Sequence, residues 1–438
     1  MLQEEKKRSE MMPKSNFKLF MMLPILSWAL YDFANTIFSS NITTIFFPFY
    51  LQEVVGDSER MNQIASTFIS YANAVSSFFL VIFAPLFGVL IDRTGKKKKY
   101  VTAFTLISVF FTMMMGFLAM EDGGGTVGGL PLSLILVIIC FVIAKFFYNS
   151  SLVFYDPILA DISTKENMAV VSGFGTAVGY IGTLVGLSIY PFVSSGNYHE
   201  AFIPTALLFL LFSLPFIFFT KEKEVEKKVE KASFWSGYRD IIATFKEMKS
   251  YKAIFYFMIA YFFLNDAIAT AVAMMSVYST AIVGFGAGEF ILLYLVSTVA
   301  SIIGSFIFGF ICKKWGAWKS IVAVGIILIV ALSFAVVATN SALFWVAGSL
   351  FGVSLGSLWV TTRTFIIELT PQEKRGQFFG LFAFSGKVSS VVGPFLYGTI
   401  TLLLADYGNL ASRVALGSLI ILVFFGLFFH QFVRKYQA

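Results

Sequence analysis

Charge is what this sequence has least of. Asp, Glu, Lys and Arg make up 13% of its 438 residues, against about 25% in an ordinary soluble domain. Lipid is therefore its main solvent. Cysteine is almost missing: Cys140 and Cys312 both lie within or at the end of apolar stretches, so free thiols are expected, with no disulfide. The two histidines, His199 and His430, stand near segment ends, which argues against histidine as a proton carrier. Metal-ligand spacing, a nucleophile elbow and a nucleotide loop are all lacking, and no soluble stretch is long enough to hold an active site. The expectation is no enzyme, no cofactor and no metal. Asp122-Gly-Gly-Gly-Thr-Val-Gly-Gly129 has a phosphate-loop look but no Lys-Ser/Thr ending and no preceding strand, so it reads as a flexible outer turn. A cleavable signal is not evident either, since the basic start runs into an apolar segment too long for one.

What fills the chain is hydrophobic residues, 58% of it, with a mean hydropathy of +0.81. Twelve segments reach the roughly 20 apolar residues a spanning helix needs. They fall near 23–51, 62–91, 99–120, 131–155, 169–193, 201–220, 251–281, 287–312, 319–339, 342–369, 377–404 and 411–432. The fold class is thus an all-α membrane protein. Roughly 27 of the 32 Lys and Arg fall on one face of that topology and about two on the other. The +7 net charge then marks cytoplasmic loops and not a nucleic-acid partner. Both termini are expected in the cytoplasm, with the chain in the cytoplasmic membrane.

The organisation read from this pattern is a tail over 1–22, a six-helix bundle over 23–220, a linker over 221–250, a second bundle over 251–432 and a tail over 433–438. The linker opens with a charged run. Phe234, Trp235, Tyr238, Ile241, Ile242, Phe245 and Met248 then recur at helical spacing, as in an amphipathic helix lying on the membrane. The halves repeat each other. Asp161 to Glu166 aligns with Glu368 to Glu373, and Gly173, Gly179 and Gly186 then match Gly380, Gly386 and Gly393 without a gap.

The basic loop Gly88-Val-Leu-Ile-Asp92-Arg93-Thr-Gly95-Lys96 resembles the signature loop between helices 2 and 3 of the major facilitator superfamily. Trp28-Ala-Leu-Tyr31-Asp32-Phe-Ala-Asn35 resembles the opening motif of the group around the autophagy-linked vacuolar amino-acid effluxer, whose bacterial members are the unknown major facilitators. Phe147-Tyr148-Asn149-Ser-Ser and Asp156-Pro-Ile-Leu-Ala-Asp161-Ile-Ser are similar to that group's fourth-helix motif, with extra residues between Tyr148-Asn149 and Asp156. The resemblance implies two pseudo-symmetric six-helix bundles that rock about a central cavity. It implies transport, and for the fungal relatives amino-acid export. The fourth helix lacks the Arg-x-x-Gln-Gly element of many proton-coupled members, and Leu187 stands where the antiporter signature has Pro.

Four ionisable residues fall in mid-membrane, where each costs at least ~2.5–3.5 kcal/mol unless paired or functional. At ~1.5 Å per residue, Asp32 lies roughly 14 Å into its segment, with Lys145, Asp266 and Lys387 at comparable depths. Asn35 and Asn149 each sit one turn from a charge. The resemblance places Tyr31, Asp32, Asn35, Lys145, Asn149, Asp266 and Lys387 on cavity helices. That set suits a zwitterionic or anionic small molecule, with a carboxylate available to carry a proton. Mutual neutralisation of the four charges is the structural alternative. Asp156 and Arg363 occupy matching positions in the two halves and form a candidate cytoplasmic gate. The expected partners are a small-molecule substrate and the bilayer, with the chain as a monomer. A lipid-like substrate and a non-transporting scaffold or receptor stand as the other readings.

Overall fold

Lipid cannot hydrogen-bond a peptide group, so each apolar segment satisfies its own backbone by coiling into helix. The computed structural model describes residues 16–436 except 57, 95, 122–124, 128–129, 157, 164–167, 195, 221–238, 240–249 and 371–374. The amphipathic stripe expected between Phe234 and Met248 lies outside the described residues. The main helices in order are α1 Leu23–Phe38, a π-helix Ser39–Phe46, α2 Phe47–Val55, α3 Glu59–Thr94, α4 Lys97–Ala119, α5 Leu132–Tyr155, α6 Met168–Leu187 and α7 Phe202–Phe219. After the linker come α8 Lys252–Val283, α9 Ala287–Trp315, α10 Ala317–Val337, α11 Ser341–Leu369, α12 Arg375–Leu403 and α13 Asn409–Lys435. Among the described residues, nine helices are long and apolar enough to cross a membrane. The helical stretches at 23–55, 168–187 and 375–403 are not among those nine.

Local chemistry sets the boundaries. Asn340 accepts the Leu343 N–H at 2.9 Å and caps α11, while the Glu289 side chain accepts the Gly286 N–H at the start of α9. Gly284, at φ 71°, ends α8 in the left-handed conformation only glycine adopts cheaply. In the turn between α4 and α5, Thr126–Val127 pairs antiparallel with Leu130–Pro131. Serines and threonines inside the helices return their hydroxyls to the carbonyl one turn back, as Thr112, Ser213 and Thr362 do. A polar residue can therefore be buried without a partner helix.

The chain divides into two compact units. The first holds residues 1–47 and 82–237, the second 48–81 and 238–438. In the first, α1 packs on α6 and α7, and α4 on α5. In the second, α8 packs on α12 and α13, and α11 on α9 and α10. The first part of α3 groups with the second unit because its polar face bonds there. Ser412 Oγ donates to Gln63 Oε1 at 2.9 Å, the Thr67 and Thr401 hydroxyls meet at 3.0 Å, and Ser70 Oγ donates to the Pro394 carbonyl. The two cations that the charge pattern leaves on the opposite face are both occupied. Arg60 pairs with Asp406 at 3.0 Å, and Arg413 donates to the carbonyls of Val336 and Ala338 at the C-terminal end of α10.

Candidate functional site

The first-helix and fourth-helix motifs lock together inside the first unit. Trp28 stacks on Tyr155 with centroids 4.9 Å apart, and the Tyr155 hydroxyl donates to the Trp28 carbonyl at 2.7 Å. Tyr31 is wholly buried. Its hydroxyl donates to Ser151 Oγ at 3.0 Å and lies 2.5 Å from Thr105 Oγ1. Further along, Phe38 meets Tyr148 at 4.6 Å and Phe47 stacks on Phe141 at 3.8 Å. These pairs fix the register of α1 against α5. They set Asn35 level with Asn149, Asp32 near the level of Leu152, and Lys145 opposite the π-helix. Asp32 and Lys145 are then about seven residues, roughly 10 Å, apart in depth, with the two asparagines between them.

Asn35 is 2% exposed, and neither atom of its amide makes a hydrogen bond among the described residues. A buried amide in that condition costs about 1–3 kcal/mol, so it calls for a partner. Asp32 is half-buried, and its Oδ2 would lie 3.2 Å from a Cβ at Gly179. Lys145 Nζ stands 5.8 Å from the Phe141 ring centroid. The neighbouring π-helix is rich in hydroxyls and widens the backbone, a feature that recurs at functional sites. It is tied to α6 through Asn41 Nδ2, which donates to the Gly186 carbonyl at 2.8 Å.

The second unit repeats the contact in altered chemistry. Thr36 Oγ1 donates to the Gly179 carbonyl at 2.5 Å, and Asn265 Nδ2 donates to the matching Gly386 carbonyl at 3.0 Å. In that register Asp32, beside Gly179, answers to Tyr261, whose hydroxyl would lie 3.1 Å from a Cβ at Gly386. Asp266 instead accompanies Gly393, whose counterpart Gly186 meets Ile37 and Asn41. The two acids are therefore not equivalent: Asp266 stands five positions beyond the residue that answers to Asp32 in this register. Lys387 lies on α12 one residue after Gly386, and its side chain is half-buried.

Just past the signature loop, at the first residue of α4, Lys97 Nζ pairs with Asp161 Oδ2 at 2.6 Å, with side chains only 14% and 11% exposed. The loop is thereby clipped to the segment that follows α5. Gly88, Asp92 and Arg93 lie in α3, but their side-chain positions fall outside the described residues, as does Gly95. Asp156 is exposed at the end of α5. The side chain of Arg363, its expected gate partner, lies outside the described residues. Among the described residues no group of His, Cys, Asp and Glu is set to hold a metal.

Motif reading alone does not find Thr105 and Tyr155, and it gives Ser151 no role, because a hydroxyl partner has no spacing signature. Another signal is plain in the sequence: Gly348, Gly352 and Gly356 recur every four residues, a spacing that brings helix backbones together. That stripe is where α11 meets α9. Ser297 Oγ and Ser301 Oγ donate to the carbonyls of Gly348 and Gly352, each at 2.8 Å.

A family model described as vacuole effluxer Atg22 like matches residues 60–438. The uncharacterised MFS-type transporter YxiO of Bacillus subtilis is 27% identical over 422 residues, which cover 93% of this chain and 94% of its own. Autophagy-related protein 22 of Saccharomyces cerevisiae is 25% identical over 289 residues, 56% of this chain and 54% of its own. Among solved structures, the nucleoside transporter NupG (D323A mutant) superposes with a TM-score of 0.69 at 14% identity, over 94% of this chain and all of the other. A bacterial homologue of the human lysosomal transporter Spinster, inward-facing and occupied, gives 0.62 at 10% identity, over 94% of this chain and 96% of its own.

Proposed function

Because this chain belongs to the Atg22-like vacuole effluxer family, a multi-pass membrane family with MFS-type transporters among its relatives, we propose that it is a secondary transporter of a small polar solute. The solute carries charges of both signs or a net negative charge, and an amino acid is the leading class. Twelve crossing helices form two six-helix halves that alternate access across the cytoplasmic membrane, with both termini in the cytoplasm. The observation that carries this reading is the bare, buried amide of Asn35. It lies level with Asn149, between a carboxylate on one side in depth and an ammonium on the other. A structural core would satisfy that amide from within, whereas a binding site leaves it for the solute. The π-helix beside it supports the same reading.

Movement of such a solute by the purified chain in sealed liposomes is the test of function. Orientation is tested separately. A single cysteine in place of Asn197 should react with an impermeant thiol reagent in intact cells, and one in place of Lys99 should not. Labelling at Lys99 from outside would overturn the orientation, since it rests on that basic loop.

A further inference from the structure

Asp266 is a buried acid that the polar site of the first unit does not use. It lies midway along the 32-residue α8 and is 0% exposed. Its Oδ1 accepts the Gly393 N–H at 2.9 Å. Its Oδ2 accepts no hydrogen bond among the described residues, and it makes no ion pair with any of them. Thr270 Oγ1, one turn on along α8, is also buried without a hydrogen-bond partner. Both side chains converge on one backbone point. A Cβ at Gly393 would collide with the Thr270 hydroxyl and lie 2.5 Å from Asp266 Oδ1. Pro394 follows and has no N–H, so the ladder of α12 already carries a gap here.

The two protonation states fare differently in this setting. A charged carboxylate has the Gly393 amide and at most one further neutral donor, the Thr270 hydroxyl, and no cation among the described residues, where a buried anion needs a cation or a fuller set of donors to offset its desolvation. The neutral acid carries no such desolvation cost: Oδ1 keeps the Gly393 N–H, and a turn of the carboxyl would let an Oδ2–H donate to Thr270 Oγ1, one helical turn away. We infer that Asp266 is a reversible proton-binding site, with the Gly393 amide as its fixed partner and the Thr270 hydroxyl beside it. The balance is one carboxylate plus one proton from water, giving one carboxylic acid. The proton leaves again when water reaches Oδ2. Its role in coupling rests on the transporter reading, but the proton site itself does not. Asp32, half-buried beside Gly179, remains with the solute.

The test is an infrared pH titration of the purified full-length chain in lipid nanodiscs, with no solute present. The carbonyl-stretch band of a buried carboxylic acid should grow as pH falls, vanish in Asp266→Asn and persist in Asp32→Asn. Thr270→Val should move the band to higher wavenumber, because the acid loses its acceptor. If Asp266→Asn does not fold, Asp266→Glu serves instead, and should shift the band without removing it. A band that survives Asp266→Asn, ignores Asp266→Glu, or keeps its full amplitude at every pH where the protein is folded would overturn the site. Failure of any solute to move in liposomes, beside a band that titrates, would count against the transporter reading and leave the proton site standing.

Discussion

Gly352→Leu is expected to cost about 3 kcal/mol or more of stability, seen as loss of the folded fraction on size exclusion after extraction. The reason is backbone against backbone. A Cβ at Gly352 would collide with the Ser297 carbonyl oxygen, and one at Gly356 with that of Ser301. From the facing helix, a Cβ at Gly304 would lie 2.8 Å from the Val353 oxygen. Neither side can turn a side chain away, so α9 and α11 must separate. Separation also breaks the hydrogen bonds that Ser297 and Ser301 donate across the seam. Apolar surface gives no drive to rejoin helices in lipid, so close packing and these bonds are what hold the pair. Gly417→Ala is the matched control. Nothing lies within 4 Å of a Cβ there, and the change should stay within about 0.5 kcal/mol. Equal behaviour of the two variants would show that the close approach contributes nothing.

Asp32→Asn is expected to reduce solute flux at least about 100-fold while leaving the protein folded. Asparagine keeps the volume and can still hydrogen-bond, so the loss is mainly the charge. A charge-assisted contact contributes about 1.5–3 kcal/mol, and about 2.7 kcal/mol corresponds to that hundredfold change. Asp32 is half-buried, so the fold should lose little. The opposite pattern is equally legible: aggregation of Asp32→Asn, rescued by Lys145→Met, would make the charges a structural pair. Gly179→Ala offers an independent approach, because its methyl would lie 3.2 Å from Asp32 Oδ2 and must displace it. It should weaken flux without removing the charge.

Periodicity made most of the fold legible. The expected span at 131–155 meets a helix at Leu132–Tyr155, and that at 342–369 meets Ser341–Leu369, because long apolar runs have one conformation open to them in lipid. The first segment was legible as helix but not as π-helix. No composition rule tells i→i+5 bonding from i→i+4, and the Ser-Ser-Asn-Ile-Thr-Thr run also suits an ordinary polar turn of helix. The gapless glycine register was informative beyond its purpose. It aligns the Thr36–Gly179 and Asn265–Gly386 contacts, although threonine and asparagine share no sequence pattern. Mid-membrane charges were visible one by one, but their partners were not. Nothing in the sequence says that Asp266 meets a backbone amide on α12, because a main-chain donor leaves no mark on residue identity. The grouping of residues 48–81 with the second unit was hidden for a related reason. It rests on scattered hydroxyls and Gln63, each unremarkable where it stands in the sequence.

The most direct measurement is solute flux through the purified chain in sealed liposomes, run over amino acids, small organic anions and amphipathic lipids, with Asp32→Asn in parallel. The proposed function predicts that a zwitterionic or anionic solute moves in the native chain and stops in the variant. Movement of amphipathic lipid alone, or identical flux through native and variant protein, would contradict it.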